Sequence, residues 1–260
     1  ILSSTTGTQI TTWSGTIDDG YAVVPLPFSF PFYGGNYSQI KICTNGWQSF
    51  DVASTSAQYL NSAIPSTEVP NLALYPFWDD INITTAGAIY YYNDVANNRF
   101  IIEYKGVPHY TSLELYTFQT IIYNDGRIYY QYLSMDPVLV NSCTIGTEDA
   151  AGTTALQVVY NSAYLHNNLA IKIEKGLGWV EENPTSGIIN PAGSQLVTVT
   201  FNSTGLLQNS TYNGNLNIGS NDPTRPSKTI KIKLNVGPVG IQSNSSLLGI
   251  PTQFELKQNY

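Results

Sequence analysis

The chain has 260 residues, of which 42% are hydrophobic, enough to fill the core of one large or two ordinary domains. Charged residues make up only 11%, against roughly 25% in typical soluble domains, and Asn, Ser, Thr and 19 tyrosines carry the polarity instead. A net charge of −7 gives no basic footprint for a phosphate backbone, so nucleic acid is not an expected partner. No apolar run reaches the 18 or so residues of a membrane span, and no charged segment with an apolar core resembles an export leader, so an exported protein would already have lost it.

Helical periodicity is scarce, whereas short alternating or β-branched runs bounded by Gly, Pro, Asn and Asp recur throughout, which predicts an all-β chain. In chain order the expected strands are Tyr21–Val24, Gln39–Cys43, Trp47–Phe50, Ala88–Tyr92, Arg99–Tyr104, Tyr116–Tyr123, Arg127–Tyr132, Cys143–Thr147, Leu156–Tyr160 and Leu169–Ile173. Asn45-Gly46, Asn97-Asn98 and Asn124-Asp125-Gly126 supply residues that tolerate tight reversals. Pro25, Pro27 and Pro31 cannot donate to a ladder, which keeps the Phe28, Phe30 and Phe32 stretch at an edge while its rings enter a core. Aromatics thin out near Glu174–Gly178, so the organisation expected is a large β-sandwich over 1–174, a small immunoglobulin-like sandwich over 175–237 and an extended tail or linker over 238–260. In the second domain Gln195–Asn202, Tyr212–Gly219 and Lys228–Val236 are strands, with Val197, Val199 and Phe201 as the inward stripe and Asn221-Asp222-Pro223 as a turn.

Three stretches carry family resemblances. Phe-Pro-Phe-Tyr-Gly (Phe30–Gly34), Thr-Asn-Gly-Trp-Gln-Ser-Phe (Thr44–Phe50), Pro-Phe-Trp-Asp-Asp-Ile (Pro76–Ile81), Thr-Phe-Gln (Thr117–Gln119) and Asn-Asp-Gly-Arg-Ile (Asn124–Ile128) make Asp18–Ile173 resemble a nidogen-type domain of secreted bacterial proteins. Trp179, Pro184–Gly187, Val197–Phe201 and Gly219–Pro223 are similar to short immunoglobulin-like repeats of BACON or hydin type. The stretch Ile250–Tyr260 resembles the opening of the sorting domain on cargo of the type IX secretion system in the Bacteroidetes and Ignavibacteria lineage. There it continues into Asn-Pro-Phe-Asn-Pro, absent here, which implies a chain cut at export or a sequence that stops early. The resemblances imply an extracellular or cell-surface location and no known reaction.

Chemistry-bearing residues are few. The cysteines, Cys43 and Cys143, fit one long-range disulfide, with two buried thiols as the alternative. His109 and His166 lie in loop or turn contexts without a nucleophile motif, so no catalytic residue and no cofactor are expected. Asp79 and Asp80 with Asn82 can offer hard oxygens to calcium, but EF-hand spacing is lacking and a side-chain-capped turn is the plainer reading; Asp18-Asp19-Gly20 and Glu148-Asp149 read the same way. A glycosidase-type carboxylate pair would have to come from Glu103, Glu114 or Glu148, which nothing in the sequence selects. Asn-x-Ser/Thr triplets at Asn36, Asn82, Asn202, Asn209 and Asn244 are candidate glycosylation positions at the surface. Tyrosines in Tyr90–Tyr92, Tyr129, Tyr130 and Tyr132 put rings on both faces of a sheet, and the outward set can stack on sugars or a neighbouring subunit.

The expected function is a non-enzymatic structural or adhesive protein that self-associates by strand addition, with Ile1–Thr12 or Val239–Leu256 as donor strand and a filament as the product. The alternative is a glycan-binding accessory module of a larger secreted hydrolase.

Overall fold

The computed structural model describes residues 7–112, 114–136, 139–174, 176–191 and 193–237, and the backbone of 253–257. Within them the chain is strand and loop, apart from one 3-10 turn at Val95–Asn97. Two compact units divide at Glu174 and Lys175.

The first unit contains β1 (Thr8–Gln9), β2 (Ser14–Gly15), β3 (Gly20–Phe32), β4 (Gly35–Cys43), β5 (Gln48–Ser49), β6 (Ala73–Trp78), β7 (Ala88–Asp94), β8 (Arg99–Pro108), β9 (Leu115–Tyr123), β10 (Ile128–Ser134), β11 (Thr144–Glu148), β12 (Ala155–Tyr160) and β13 (Leu169–Ile173). They form a six-stranded sheet in the order β1-β7-β8-β9-β10-β13 and a seven-stranded sheet in the order β12-β11-β6-β5-β4-β3-β2. Ile89, Phe100, Ile102, Phe118, Ile122 and Ile128 from the first sheet share one core with Phe30, Phe32, Ile40, Ile42, Leu74 and Ile145 from the second, the face-to-face arrangement of a β-sandwich. The proline-rich β3 pairs with β2 only at Gly20 and Tyr21, and beyond that β4 is its one strand partner, with a register shift between Pro25 and Phe30. An open edge is where residues without an N–H cost no ladder bond.

Strand β6 escapes a reading based on alternation because all six of its residues are buried. Its inner face joins the main core through Leu74 and Phe77, while Ala73, Tyr75 and Trp78 pack with Cys43, Trp47 and Ile64 on the other side of the sheet. The intervening loop supplies that cover, and a strand buried on both faces has no period of two to detect.

Buried tyrosines tie the two sheets together. Tyr104 donates to the Cys43 carbonyl at 2.6 Å, Tyr130 to Gly146 at 2.8 Å and Tyr132 to Pro76 at 2.6 Å. The β6–β11 ladder shifts register between Thr144 and Gly146, where Pro76 and Phe77 are passed over. The shift removes Pro76 and, on β11, Ile145 from regular pairing, and the tyrosine hydroxyls supply donors to the buried Pro76 and Gly146 carbonyls beside it.

The second unit holds β14 (Val180–Asn183), β15 (Ser194–Phe201), β16 (Ser210–Gly219), β17 (Ser227–Val236) and β18 (Gln253–Lys257), in the orders β14-β15-β18 and β16-β17. Its buried core is Trp179, Val180, Val199 and Ile232. Trp179 stacks on Phe201 with ring centroids 6.0 Å apart; of the expected inward stripe Val199 is buried, and Val197 and Phe201 are half-buried. At the β16–β17 reversal Asp222 Oδ1 accepts from the Thr224 N–H at 2.7 Å, an Asx turn. Part of the expected tail is therefore strand: Gln253–Lys257 pairs antiparallel with β15, from Ser194↔Lys257 to Thr198↔Gln253. The remainder, 238–252 and 258–260, lies outside the described residues.

Replacing Tyr132 with Phe leaves the Pro76 carbonyl without this donor and is expected to cost about 1–3 kcal/mol, read as a lowered urea midpoint at unchanged slope.

Candidate functional site

The two longest nidogen-type motifs, Thr44–Phe50 and Pro76–Ile81, meet at one place, and their role there is structural. Thr44–Trp47 turns the chain from β4 into β5. Thr44 Oγ1 accepts from the Gly20 N–H at 3.0 Å, and the Asn45 side chain donates to Asp19 and to the Ala57 carbonyl while accepting from the Ile81 N–H. Gly46 has φ +75°, and a Cβ there would sit 1.9 Å from the Phe77 carbonyl oxygen, so only glycine fits. The Trp47 and Trp78 indoles both donate to the Gln58 carbonyl, at 2.8 and 3.1 Å, which pins the loop over β6. Lys41 is wholly buried beside this turn; it donates to Ser54 and lies 5.2 Å from the Trp47 ring centroid.

Next to this turn Asp79 gathers a polar group that sequence spacing does not reveal. Its Oδ2 accepts from Ser142 Oγ at 2.6 Å, and its Oδ1 lies 3.5 Å from His109 Nε2. The Thr111 N–H donates to His109 Nδ1, which directs the proton to Nε2 and towards Asp79. The types are those of a Ser-His-Asp triad, but the carboxylate stands between hydroxyl and imidazole, so no base faces the serine. Contrary to the loop-surface expectation, His109 is buried and bridges Ile81, whereas His166 is exposed. Ser142 escaped the sequence reading because it is 63 positions from Asp79.

The calcium candidates do not converge. Asp79 is occupied as above, and Asn82 Oδ1 accepts from the Thr84 N–H and hydroxyl. Among the described residues no group of three or more His, Cys, Asp or Glu is placed to hold a metal ion. Asp18-Asp19 lies in a turn closed by Thr16, and Asp149 caps its turn through the Thr153 and Thr154 N–H groups. Asp80 is pushed up to about 6, first by burial and further by Asp18, Asp19 and Asp79, with His109 opposing.

Nor do the carboxylates pair. Glu148 ends β11 fully buried, accepting from Tyr75 at 2.8 Å and from the Ser66 N–H, whereas Glu103 lies on the other sheet. Glu114 lies in the loop before β9. Cys43 and Cys143 are free buried thiols, which corrects the disulfide expectation. Cys43 ends β4 and Cys143 precedes β11; β5 and β6 lie between those strands, three spacings or about 14 Å, against the roughly 7 Å limit for bridged Cα atoms. Asn36, Asn202 and Asn209 are exposed and Asn82 half-buried; Asn244 lies outside the described residues.

The arrangement with the character of a binding site is the outward face of the six-stranded sheet. Cross-strand rows run Tyr90–Glu103–Gln119–Gln131, Tyr92–Ile101–Ile121–Tyr129 and Asp94–Arg99–Tyr123. A groove of about 390 Å³ is lined by Arg99, Gln119, Tyr123, Tyr129 and Gln131 over the buried Ile101 and Ile121. Tyr123 and Tyr129 meet edge to face with centroids 5.7 Å apart, and the Arg127 guanidinium covers Tyr123 at 4.4 Å. Of the tyrosines singled out in sequence, Tyr90, Tyr92 and Tyr129 face outward while Tyr130 and Tyr132 are core, and Tyr91 packs against the core edge.

A family model described as NIDO related matches residues 2–187. The chain belongs to the NIDO-related family. This is an extracellular domain type of structural or adhesive character, not known for catalysis. No solved structure matches the chain. No helix among the described residues is long and apolar enough to cross a membrane.

Burial pushes the Cys43 thiol up to about 12 and Cys143 higher still. Both are therefore expected to resist a thiol reagent in the native protein and to react, two per chain, only after unfolding. Because the folded pKa of Asp80 lies above its unfolded value of 3.8, this group lowers stability as pH rises from about 4 through about 6. Asp80→Asn should stabilise the protein above that window and lose the advantage below it, read as the difference between two urea-melt series against pH.

Proposed function

We propose that the chain is a non-enzymatic structural or adhesive protein of the cell surface, in which the second unit is an assembly module completed by strand addition. The observation that carries this reading is β18, which pairs with β15 over five residues although residues 237–252 separate it from β17. Main-chain bonds of this kind are satisfied equally by the same segment of another copy. Two further features support it. Among the described residues the core of the unit has four buried hydrophobic residues, and a cleft of about 370 Å³ is lined by Val197, Val199, Leu216, Ile218 and Ile230.

The tail, rather than Ile1–Thr12, is the favoured donor. Thr8 and Gln9 pair with Tyr91 and Tyr90 in the first unit, and Ile10 is buried there. Donation from each copy to the next is a head-to-tail contact, which grows a filament unless it closes into a ring. The resemblance of Ile250–Tyr260 to a sorting-domain opening supports export by a type IX route, with the same segment then serving as donor strand.

A chain ending at Gly237, mixed with a synthetic peptide of residues 250–260, tests the reading. Its melting temperature should climb with peptide concentration, by about 2.7 kcal/mol of stabilisation at a hundredfold excess over Kd, and the intact chain should form fibres visible by electron microscopy at high concentration. A peptide without effect, together with an intact chain that stays monomeric in sedimentation, would overturn it.

A further inference from the structure

The outward face of the six-stranded sheet is independent of strand assembly and has its own chemistry. A sheet face presents side chains only, since the backbone groups that pair with an extended peptide lie at strand edges. Its apolar residues, Ile101 and Ile121, are 3% and 5% exposed, so they form a floor rather than the open hydrophobic patch a protein partner would cover. Around that floor stand rings and primary amides: Tyr129 and Tyr123, Gln119 and Gln131.

Beneath these amides lies Glu103, 1% exposed, whose Oε1 accepts from Gln119 Nε2 at 3.0 Å and whose buried Oε2 has no hydrogen-bond partner among the described residues. Gln119 stands between Glu103 and Gln131 in one cross-strand row. Gln131 at the rim and Gln119 at its foot therefore give the groove two amides that can donate to and accept from closely spaced hydroxyls, with Glu103 fixing Gln119 from below. Charge narrows the ligand further. Arg99 is paired with Asp94, Arg127 with Asp125 and Lys172, opposite Tyr129, with Glu174, so the positive charge beside the groove is offset by carboxylates, and the chain as a whole carries −7.

We propose that this groove binds a neutral polysaccharide, with the apolar face of a pyranose ring stacked on Tyr129 and the sugar hydroxyls bonded by Gln131 and Gln119, the latter held by Glu103. A pyranose joins a flat C–H face to a rim of hydroxyls, and the groove offers the matching pair: aromatic surface beside a polar row. Tyr123 acts as a positioning residue, since the Arg127 guanidinium already covers it and its ring holds Tyr129 edge to face.

The test is calorimetric titration of the full chain with neutral hexasaccharides of glucan, xylan, mannan, galactan and chitin type, with hexagalacturonate as the anionic probe. At least one neutral probe should bind with a Kd below about 1 mM, and hexagalacturonate should not. Gln131→Ala and, separately, Tyr129→Ala should each weaken binding about tenfold or more with an unchanged circular dichroism spectrum. Tyr160→Ala, an exposed ring on the other sheet, should leave binding as it was. The proposal is overturned if no neutral probe binds at about 5 mM, if hexagalacturonate is preferred, or if Gln131→Ala, the less intrusive change, leaves affinity intact. Because the groove belongs to the first unit and β18 to the second, either idea can fail while the other stands.

Discussion

The first unit depends on the turn Thr44–Trp47. Within four residues it anchors the start of β3 through Thr44 and the chain beyond β6 through Asn45, brings the Phe77 carbonyl against Gly46, and gathers the loop over β6 through Trp47. Each contact joins segments distant in sequence, so the turn closes several loops at once and their entropy is lost at a single nucleus. That is the physical reason for a Thr-Asn-Gly-Trp run at this place: a short side-chain acceptor, an amide that both donates and accepts, a residue without Cβ, and an indole with one donor. The same run carries the family resemblance, which is thus a signature of architecture and not of chemistry.

Low charge and abundant tyrosine are two sides of one solution. Where the ladder between β6 and β11 breaks register, buried carbonyls need donors, and tyrosine delivers a hydroxyl across the sandwich while its ring fills the core. Tyr104 and Gln48 extend the scheme: Gln48 donates to Tyr104 and accepts from Thr120, so a polar thread crosses between sheets with its partners met. Lys41 follows the same economy, with a backbone carbonyl and aromatic faces taking the place of an acidic partner.

The two units differ in how much they bury. Among the described residues the first carries thirty buried hydrophobic residues in its main cluster and the second four, and small units of that kind are marginal alone. A strand added to β15 supplies main-chain bonds that a core of this size cannot replace with apolar contact.

Composition and local pattern determined the all-β character, most of the strands and the tight reversals, because alternation, β-branching and turn residues act over a few positions. The hairpin through Asn124-Asp125-Gly126 is where these signals agree, and it forms with Ile128 opposite Ile122. Tertiary structure decided the rest. Strand β6 was silent because burial on both faces erases its period. The cysteines stay apart because two strands lie between theirs, an arrangement that spacing in sequence does not encode. Ser142, Asp79 and His109 meet without forming a triad, since the order of three groups in space is set only by the packed sheets. The outward tyrosines were legible as a set, but the partners that make them a groove, Gln119 and Gln131, come from separate strands whose register only the folded sheet fixes.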